Sequence, residues 1–180
     1  MLEIEVKIKI ENLADVKDKI LKQGAVLAKK RHPHEDTFYD WPSLELWKKH
    51  FALRVRKINK KTFLTFKGPE QRSRKFKIRE EYETEVKNER HLRKILKSLG
   101  LQQVFQYSKS RTVFRKKRLT ICLDETPAGN FLELEGQQNE IVKFAHELGF
   151  SKDRFIKLDY IQLIQRDKEQ RMKRNGDQKE

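Results

Sequence analysis

The chain has 180 residues, a formal net charge of +15, a pI near 9.9 and a single cysteine, Cys122. This length suits one domain with a sizeable core, and the basic charge favours a polyanionic partner: a nucleic acid, an acidic membrane surface or a phosphate-rich small molecule. A lone cysteine excludes an internal disulfide framework, and the absence of a secretory signal or a bilayer-spanning apolar stretch predicts a cytoplasmic protein.

The first residues, MLEIEVKIKI, alternate apolar and charged side chains with the period of two that predicts a β-strand. Asn12 and Gly24 then mark the start and the end of an amphipathic helix. A strand follows over residues 25–40 with an interruption near Pro33, and a β-hairpin turns at residues 59–60.

The second half of the chain continues this alternation. Helices are predicted over residues 88–100, 138–150 and 154–166, and residues 167–180 predict a solvated helix end or a disordered polar tail. Eight strands joined mostly by short turns predict an α+β fold, in which one domain, residues 1–166, holds a strongly curved or closed antiparallel sheet with helices outside. The strands not yet named cover residues 75–86, 101–117, 118–126 and 131–136.

Nearly every predicted strand has one apolar face and one face that is almost wholly ionic. The signs are sorted: acids lie on the first, seventh and eighth strands, bases on the third, fourth and sixth, and both on the fifth. A charged face in water is one interpretation, but a solvent-facing sheet usually mixes charges with uncharged polar residues. If the sheet closes with this face inside, acids and bases meet across a lumen the size of one small ligand.

The charges themselves predict the chemistry of such a lumen. Clustered arginines and lysines match phosphate oxygens. Paired carboxylates such as Glu3 with Glu5, and Glu133 with Glu135, are hard oxygen ligands for Mg²⁺ or Mn²⁺, which prefer sites shared with substrate phosphates. A cavity that offers both kinds of charge is suited to a metal-bound polyphosphate.

Six motifs occur in one order along the chain. An ExExK motif, Glu3, Glu5 and Lys7, comes first, and "LRVR", "TFKGP", "REEYETEV", "SKSR" and "CLDET" with "FLELEG" follow it. In this order they resemble the CYTH, or triphosphate tunnel metalloenzyme, family, which includes class IV adenylate cyclases, thiamine triphosphatases and inorganic triphosphatases. The resemblance extends to about Arg166. ExExK alone occurs by chance in charged strands, whereas six motifs in order are specific.

The resemblance implies a closed, eight-stranded antiparallel tunnel that binds a triphosphate through its bases and one or two divalent cations, Mg²⁺ or Mn²⁺, through its acids. The implied phosphate-binding residues are Lys7, Arg54, Arg56, Lys67, Arg79, Lys109, Arg111 and Lys157. The implied metal ligands are Glu3, Glu5, Glu83, Asp124, Glu133 and Glu135. The implied catalytic residues are Lys67, Glu81 and Asp124.

Position 38 separates branches of the family. The thiamine triphosphatase branch has a tyrosine two places after the aspartate of the "EDTFYD" stretch, but this chain has Phe38, and Tyr39 points to the other face. "TFKGP" and "REEYETEV" are most similar to the class IV adenylate cyclase branch, which implies conversion of ATP into cyclic AMP and pyrophosphate. The alternatives are hydrolysis of an inorganic, nucleoside or thiamine triphosphate, and a non-catalytic module that binds polyphosphate or RNA.

The predicted partner is therefore a triphosphate small molecule and not a membrane, while the basic exterior leaves nucleic-acid binding open. The oligomeric state also stays open, a homodimer included. His32, His34 and Asp36 lie around a proline and predict a solvated loop rather than a zinc site. Trp41 and Trp47 are predicted as packing or rim aromatics.

Overall fold

The computed structural model describes the backbone of residues 2–176 and the side chains of residues 2–174. A 3₁₀ turn, Lys152–Arg154, precedes the last helix. The strands are β1 (Leu2–Ile10), β2 (Val26–Asp40), β3 (Ala52–Ile58), β4 (Lys61–Lys67), β5 (Lys77–Val86), β6 (Gln102–Lys116), β7 (Leu119–Thr126) and β8 (Gly129–Glu135). The α-helices are α1 (Leu13–Lys22), α2 (Glu45–Lys48), α3 (Glu89–Ser98), α4 (Gln138–Glu147) and α5 (Tyr160–Gly176).

The sheet closes into a barrel in the order β1-β5-β4-β3-β2-β6-β7-β8. All neighbouring strands are antiparallel. β1 completes the barrel because it pairs on one side with β5, where Glu3 lies opposite Arg79, and on the other with β8, where Lys7 lies opposite Glu133. The predicted α+β fold, a closed eight-stranded antiparallel barrel with helices outside, is confirmed.

The alternation along β1 decides which side chains face the helices and which face the barrel interior. Val6 and Ile8 point outward and are fully buried in one cluster with Ile20 of α1 and Phe144 of α4. Burying an aliphatic side chain of this size stabilises the fold by about 1.5–3 kcal/mol. α1 begins where predicted, because the Asn12 side chain accepts hydrogen bonds from the first free backbone N–H groups of the helix.

β2 runs through Pro33 without a break, so the predicted interruption is wrong. The strand accommodates the proline because β3 pairs with β2 only from His34 onward, which leaves one edge unpaired at Pro33. The solvated loop predicted for His32, His34 and Asp36 is wrong for the same reason. β2 carries His34 and Asp36 into the barrel, where both are buried, and the Nε2 atoms of His32 and His34 lie 2.9 Å apart.

The last helix begins later than predicted, at Tyr160 rather than within residues 154–159. Ile156 instead forms a β-bridge with Lys7 of β1, so the chain is extended there. Asp159 then supplies the helix start: its side chain accepts from the backbone N–H of Gln162 at 2.9 Å, and the Gln162 side chain accepts from the Asp159 N–H at 3.1 Å.

The polar region predicted from Asp167 onward is helical up to Gly176, and it forms a solvated helix end as far as the structure describes it. Residues 177–180 of the predicted tail lie outside the described residues. Within residues 2–176, none of the helices is both long and apolar enough to span a membrane.

Candidate active site

The charged faces of the strands turn inward and line a cavity of about 950 Å³. The acids and bases that the sequence sorts onto different strands therefore meet around one space. Two predicted site residues, Asp124 and Lys157, are not part of this cavity wall. The predicted site residues that line it are Glu3, Glu5, Lys7, Arg54, Arg56, Lys67, Arg79, Glu81, Glu83, Lys109, Arg111, Glu133 and Glu135.

Carboxylates of the neighbouring strands β1 and β8 gather on one side of the cavity. Glu5 lies opposite Glu135, and Lys7 lies opposite Glu133, in the register of the two strands. Burial, followed by the nearby charges of Glu3, Glu133 and Glu5, raises the pKa of Glu135 to about 7. Such crowding of carboxylates means that a cation among them would relieve their repulsion.

Lysines offset part of this negative charge. Lys7 Nζ lies 2.7 Å from a carboxylate oxygen of Glu5, and Lys67 Nζ lies 2.8 Å from Glu3 and 2.7 Å from Glu81. Burial opposes the charged form of Lys7, but the carboxylates of Glu5, Glu133 and Glu3 together outweigh burial and raise the pKa of Lys7 above its ordinary value. Lys7 and Lys67 therefore both contact carboxylates of β1.

Asp124 is fully buried behind the cavity wall, where donors from two elements converge on it. It accepts hydrogen bonds from Lys109 at 2.8 Å, from Arg111 at 2.7 Å and from the Tyr160 hydroxyl at 2.6 Å. Burial would raise the pKa of Asp124, but Arg111 and Lys109 lower it to about 2, so the group is a carboxylate. Asp124 fixes the two cations that line the cavity, and its role as a metal ligand stays a prediction.

The arginines of β3 form another part of the wall. Arg56 donates two hydrogen bonds to Asp36, at 2.6 and 2.7 Å, and this bidentate contact fixes the guanidinium plane. Arg54 donates to Thr65 at 3.1 Å and to Glu83 at 3.3 Å. Sequence reasoning missed Asp36 because it placed that residue in a loop, where strand parity carries no information.

Lys77 also lines the cavity, although the sequence analysis did not select it as a site residue. It is 4% exposed, its Nζ has no hydrogen-bond partner among the described residues, and its ion-pair partner Asp159 lies 3.6 Å away. Burial and then the Arg79 charge lower the pKa of Lys77 to about 8. An ammonium group so weakly paired favours an anionic ligand. The signal available in the sequence was that Lys77 lies on the same face of its strand as Arg79 and Glu81.

Tyr160, at the first position of α5, is a third residue that sequence reasoning missed. Its ring lies in the cavity wall, with Lys109 Nζ 4.4 Å and Lys7 Nζ 5.1 Å from the ring centroid. Both distances allow cation–π attraction. No strand pattern signals Tyr160, because a helix outside the sheet supplies it.

Lys157 contacts the connection between β4 and β5 instead of the cavity. Its Nζ donates to the backbone carbonyl of Ser73 at 2.7 Å and pairs with Glu70 at 2.6 Å. Lys157 thereby fastens the segment before α5 to the barrel, and its predicted contact with phosphate stays a prediction.

The connection between β2 and β3 forms an apolar wall at one end of the cavity. We call residues 42–51 the mouth loop. It contains α2, a single turn that the sequence analysis did not predict and that begins after Leu44, whose φ is 57°. Trp47 lines the cavity and is 44% exposed, in agreement with a rim aromatic. Trp41 packs outside the cavity, where its indole N–H donates to the Leu99 carbonyl at 3.2 Å.

Comparison with known protein families shows which family this chain belongs to. The model of the CYTH domain matches residues 1–154 of the chain. The chain belongs to the CYTH family. Members of this family of triphosphate tunnel metalloenzymes are adenylate cyclases or triphosphatases, so membership implies a divalent metal.

Relatives of this CYTH protein extend over nearly the whole chain. A Methanocaldococcus jannaschii protein named "Putative adenylate cyclase" is 29% identical over 174 residues, covering 91% of this chain and 98% of its own. The PH1012 protein from Pyrococcus horikoshii is 29% identical with a TM-score of 0.76, covering 90% and 99%. HpAC1 from Hippeastrum, described as having a dominant triphosphatase activity, is 20% identical with a TM-score of 0.67, covering 91% and 95%.

The residues of this CYTH protein fit the divalent metal that the family implies. The carboxylates of β1 and β8 are hard oxygen donors, and burial followed by the charges of the neighbouring carboxylates raises the pKa of Glu135. Within residues 2–174, no three His, Cys, Asp or Glu side chains form a ready-made metal site; Glu3 and Glu5 contact Lys67 and Lys7. The donor set therefore matches a hard divalent cation in chemistry, with lysines as competitors for its carboxylate oxygens.

Proposed function

We propose that this CYTH protein is a divalent-metal-dependent enzyme acting on a triphosphate, with the reaction of a class IV adenylate cyclase: ATP to cyclic AMP and pyrophosphate. The observation that carries the proposal is the enclosed cavity in which the carboxylates of β1 and β8 adjoin cations from β3, β4, β5 and β6. A phosphate chain and a hard divalent cation are the ligands that such a set of charges matches. The name of the Methanocaldococcus jannaschii relative supports the cyclase reaction.

In this reaction the cationic wall binds the phosphate chain. Arg54 and Arg56 offer planar guanidinium groups that each match two phosphate oxygens, and Asp36 holds the second of them in orientation. Lys109 and Arg111, fixed from behind by a shared carboxylate, supply further positive charge. Together these cations offset the negative charge that grows on the leaving pyrophosphate. Such electrostatic stabilisation is the main source of catalysis in phosphoryl transfer.

The predicted catalytic residues act through charge and position. Lys67, held between Glu3 and Glu81, contacts the phosphate on which charge develops, while Asp124 keeps Lys109 and Arg111 in place. A bound divalent cation would polarise phosphoryl oxygens and orient the phosphate chain of the substrate for attack. Of the predicted ligands, those that line the cavity and would hold this cation are Glu3, Glu5, Glu83, Glu133 and Glu135, whereas Asp124, buried behind the wall, would act through Lys109 and Arg111.

Hydrolysis of a triphosphate is the second candidate, because the same cavity binds the phosphate chain whichever group attacks. HpAC1, which shares the fold, is described as having a dominant triphosphatase activity. In cyclisation the 3′-hydroxyl of ATP attacks the α-phosphorus and pyrophosphate leaves. In hydrolysis water attacks the γ-phosphorus and orthophosphate leaves, so the products separate the two reactions.

The test is to incubate the protein with ATP, thiamine triphosphate or inorganic triphosphate in Mg²⁺ or Mn²⁺ and to separate the products. Equal amounts of cyclic AMP and pyrophosphate from ATP are expected. Orthophosphate without cyclic AMP would replace the cyclase with a triphosphatase. Binding without turnover that is independent of metal and steeply salt-dependent would indicate a non-catalytic polyphosphate or RNA module instead.

A further inference from the structure

Helix α3 concentrates positive charge on one side of the barrel exterior. Arg90, Arg93, Lys94 and Lys97 follow one another at spacings of three and four residues, which places them on one side of the helix. They line a shallow groove of about 550 Å³, and none of them lines the cavity of the barrel. Glu89 is the one acid of this helix, so the groove is strongly basic.

Two other helices of the same length show that the fold does not need such a charge. α1 balances three lysines with two aspartates, and α4 has two glutamates and one lysine. The cations of α3 repel one another at these spacings, and Arg90 lies in the first turn, where the helix dipole disfavours a cation. Leu92 and Leu96, both buried, already hold α3 on the barrel. The unfavourable charge of α3 therefore indicates a negatively charged partner.

The turn between β3 and β4 extends this basic groove. Lys57 Nζ lies 3.8 Å from the Glu89 carboxylate, and the Thr62 hydroxyl donates to the same group at 3.3 Å, so the turn adjoins α3. Lys60 in the turn and Lys87 just before α3 are exposed. We call this set of cations the α3 basic surface: Lys57, Lys60, Lys61, Lys87, Arg90, Arg93, Lys94 and Lys97.

Most of the α3 basic surface is not neutralised by the protein itself. Glu85 pairs with Lys61 at 2.9 Å, and Glu89 pairs with Arg93 at 2.9 Å and more distantly with Lys57. The other five cations of the surface form no ion pair within residues 2–174. Their charges are thus free to meet a ligand.

Arg93 is oriented before any ligand arrives. Its Nε donates to Glu89 at 2.9 Å, and its Nη1 donates to the hydroxyl of Tyr39, whose ring centroid lies 6.0 Å from the guanidinium carbon. The second amino group, Nη2, has no hydrogen-bond partner in the described part of the chain. An arginine fixed in this way can donate to a phosphate oxygen without first losing its freedom of motion.

The α3 basic surface matches a nucleic-acid duplex better than other polyanions. Proteins that bind single strands offer exposed aromatic side chains on which bases stack, and this surface has none. Helices that bind membranes insert an apolar face, whereas that of α3 is buried through Leu92 and Leu96. Ile95 is exposed but lies at least about 100° around the helix from each cation of the groove. A row of cations alone suits a phosphate backbone.

We propose that the α3 basic surface binds a nucleic-acid duplex through its phosphate backbone. Contacts of this kind fix the protein on the duplex and carry no sequence information. None of the eight cations lines the cavity, so duplex binding is separate from the triphosphate site and does not rest on the proposed enzymatic function.

The first test measures the binding of the full chain to a short DNA duplex, to an RNA duplex of the same sequence and to one of the DNA strands. All three carry hydroxyl ends, so that no terminal phosphate enters the cavity. Fluorescence anisotropy over a range of salt concentrations is expected to show tighter binding of both duplexes than of the single strand, with affinity falling steeply as salt rises. Equal binding of the single strand, or no binding of either duplex, would overturn the inference.

Vesicles that contain phosphatidylserine are the probe for a membrane partner. We expect the duplexes to bind more tightly than the vesicles at the same salt concentration. Binding to the vesicles and to neither duplex would assign the α3 basic surface to a membrane and overturn the inference.

The second test locates the duplex on the protein with two triple variants. Each phosphate contact contributes about 0.9 to the slope of log affinity against log salt concentration, so the α3 variant should make this slope shallower by about two to three. The α1 variant, which loses the same charge elsewhere, should keep the wild-type slope. The α3 variant carries Arg90→Gln, Lys94→Gln and Lys97→Gln. The α1 variant carries Lys17→Gln, Lys19→Gln and Lys22→Gln, and all six cations are exposed.

Circular dichroism melts of both variants establish that they fold, and the α3 variant should be at least as stable as the wild type because repulsion has been removed. Equal changes of slope in the two variants would show that net charge alone attracts the duplex, and would overturn the assignment to α3. An unchanged slope in the α3 variant would overturn it as well.

Discussion

Ion pairs between individual side chains line the interior of the barrel. Arg56 pairs with Asp36, and Lys67 pairs with Glu3, so most of the cationic wall is neutralised by the protein's own carboxylates. Asp36 orients Arg56, whereas a phosphate ligand must compete with Glu3 for Lys67, and a divalent cation that attracts Glu3 would free this lysine for phosphate. Lys77 differs, because its Nζ has no hydrogen-bond partner among the described residues.

Removing one carboxylate from β8 is expected to remove activity and leave the fold intact. Glu135→Gln keeps the size of the side chain but takes away a proposed metal ligand, so turnover of ATP should fall by at least about 100-fold. Glu85→Gln is the matched control, because Glu85 is an exposed carboxylate on a strand of the same barrel, paired with Lys61. Steady-state rates and circular dichroism of both variants make the comparison, and full activity in Glu135→Gln would contradict the assignment.

Lys77 is expected to stabilise ligand binding at the expense of the ligand-free fold. Since its pKa is lowered from 10.5 to about 8, the folded protein binds this proton less tightly than the unfolded chain, and stability contributed by this group rises as pH increases from 8 to 10.5. Lys77→Met should therefore raise the free energy of unfolding near pH 7 by about 1–3 kcal/mol and flatten its rise above pH 8. Denaturant melts at several pH values measure both effects.

The same variant should bind an ATP analogue more weakly, because a buried cation has been removed from the cavity wall. In this analogue carbon replaces both bridging oxygens of the triphosphate, so it is not turned over. A Lys77→Met protein that is less stable than the wild type at pH 7, or that binds the ATP analogue equally well, would contradict this account of Lys77.

Among the elements, strands with clear alternation are the ones that sequence predicts well. β1 places Glu3, Glu5 and Lys7 in the cavity wall and Val6, Ile8 and Ile10 in the core outside the barrel, as the period of two requires, while Lys9 is exposed. α2 escapes prediction because it is one turn that follows a strained Leu44, and no periodicity can develop over four residues. Pro33 misleads because its effect depends on whether a neighbouring strand needs that edge.

The site is predictable to the same extent as its strands. Parity identifies the charges that line the cavity, but ion pairs such as Lys157 with Glu70, and the contact between Tyr160 and Asp124, depend on how elements outside the sheet dock on it. Local patterns carry no information about such docking.

α5 is expected to affect the cationic wall of the cavity through Tyr160. Tyr160→Phe keeps the ring beside Lys7 and Lys109 but removes the hydrogen bond to Asp124, so binding of the ATP analogue should weaken about three- to tenfold. Tyr160→Leu removes the ring contacts as well and should weaken it further. Calorimetric titration of the wild type and the two variants gives the order of their affinities. If Tyr160→Leu binds the ATP analogue as tightly as the wild type, the positioning role of Tyr160 is refuted.

For the molecule as a whole, closure of the barrel and the net charge of +15 act together. Closure buries part of the charged faces, including Glu5, Lys7 and Lys109, and burial strengthens the electrostatic interactions that these groups can make with a ligand. The positive field outside attracts anions toward the cavity and raises their rate of association, an effect that salt reduces. The basic exterior alone would serve a nucleic acid equally well, but it gives no reason for the carboxylates of β1 and β8.

Those carboxylates imply that turnover depends on a divalent cation. The most direct measurement is the rate of ATP consumption with Mg²⁺ or Mn²⁺, followed by addition of excess chelator. We predict consumption that requires the cation, stops on chelation and resumes when the cation is restored. Consumption that continues in excess chelator, or no consumption of any triphosphate with either cation, would contradict the account.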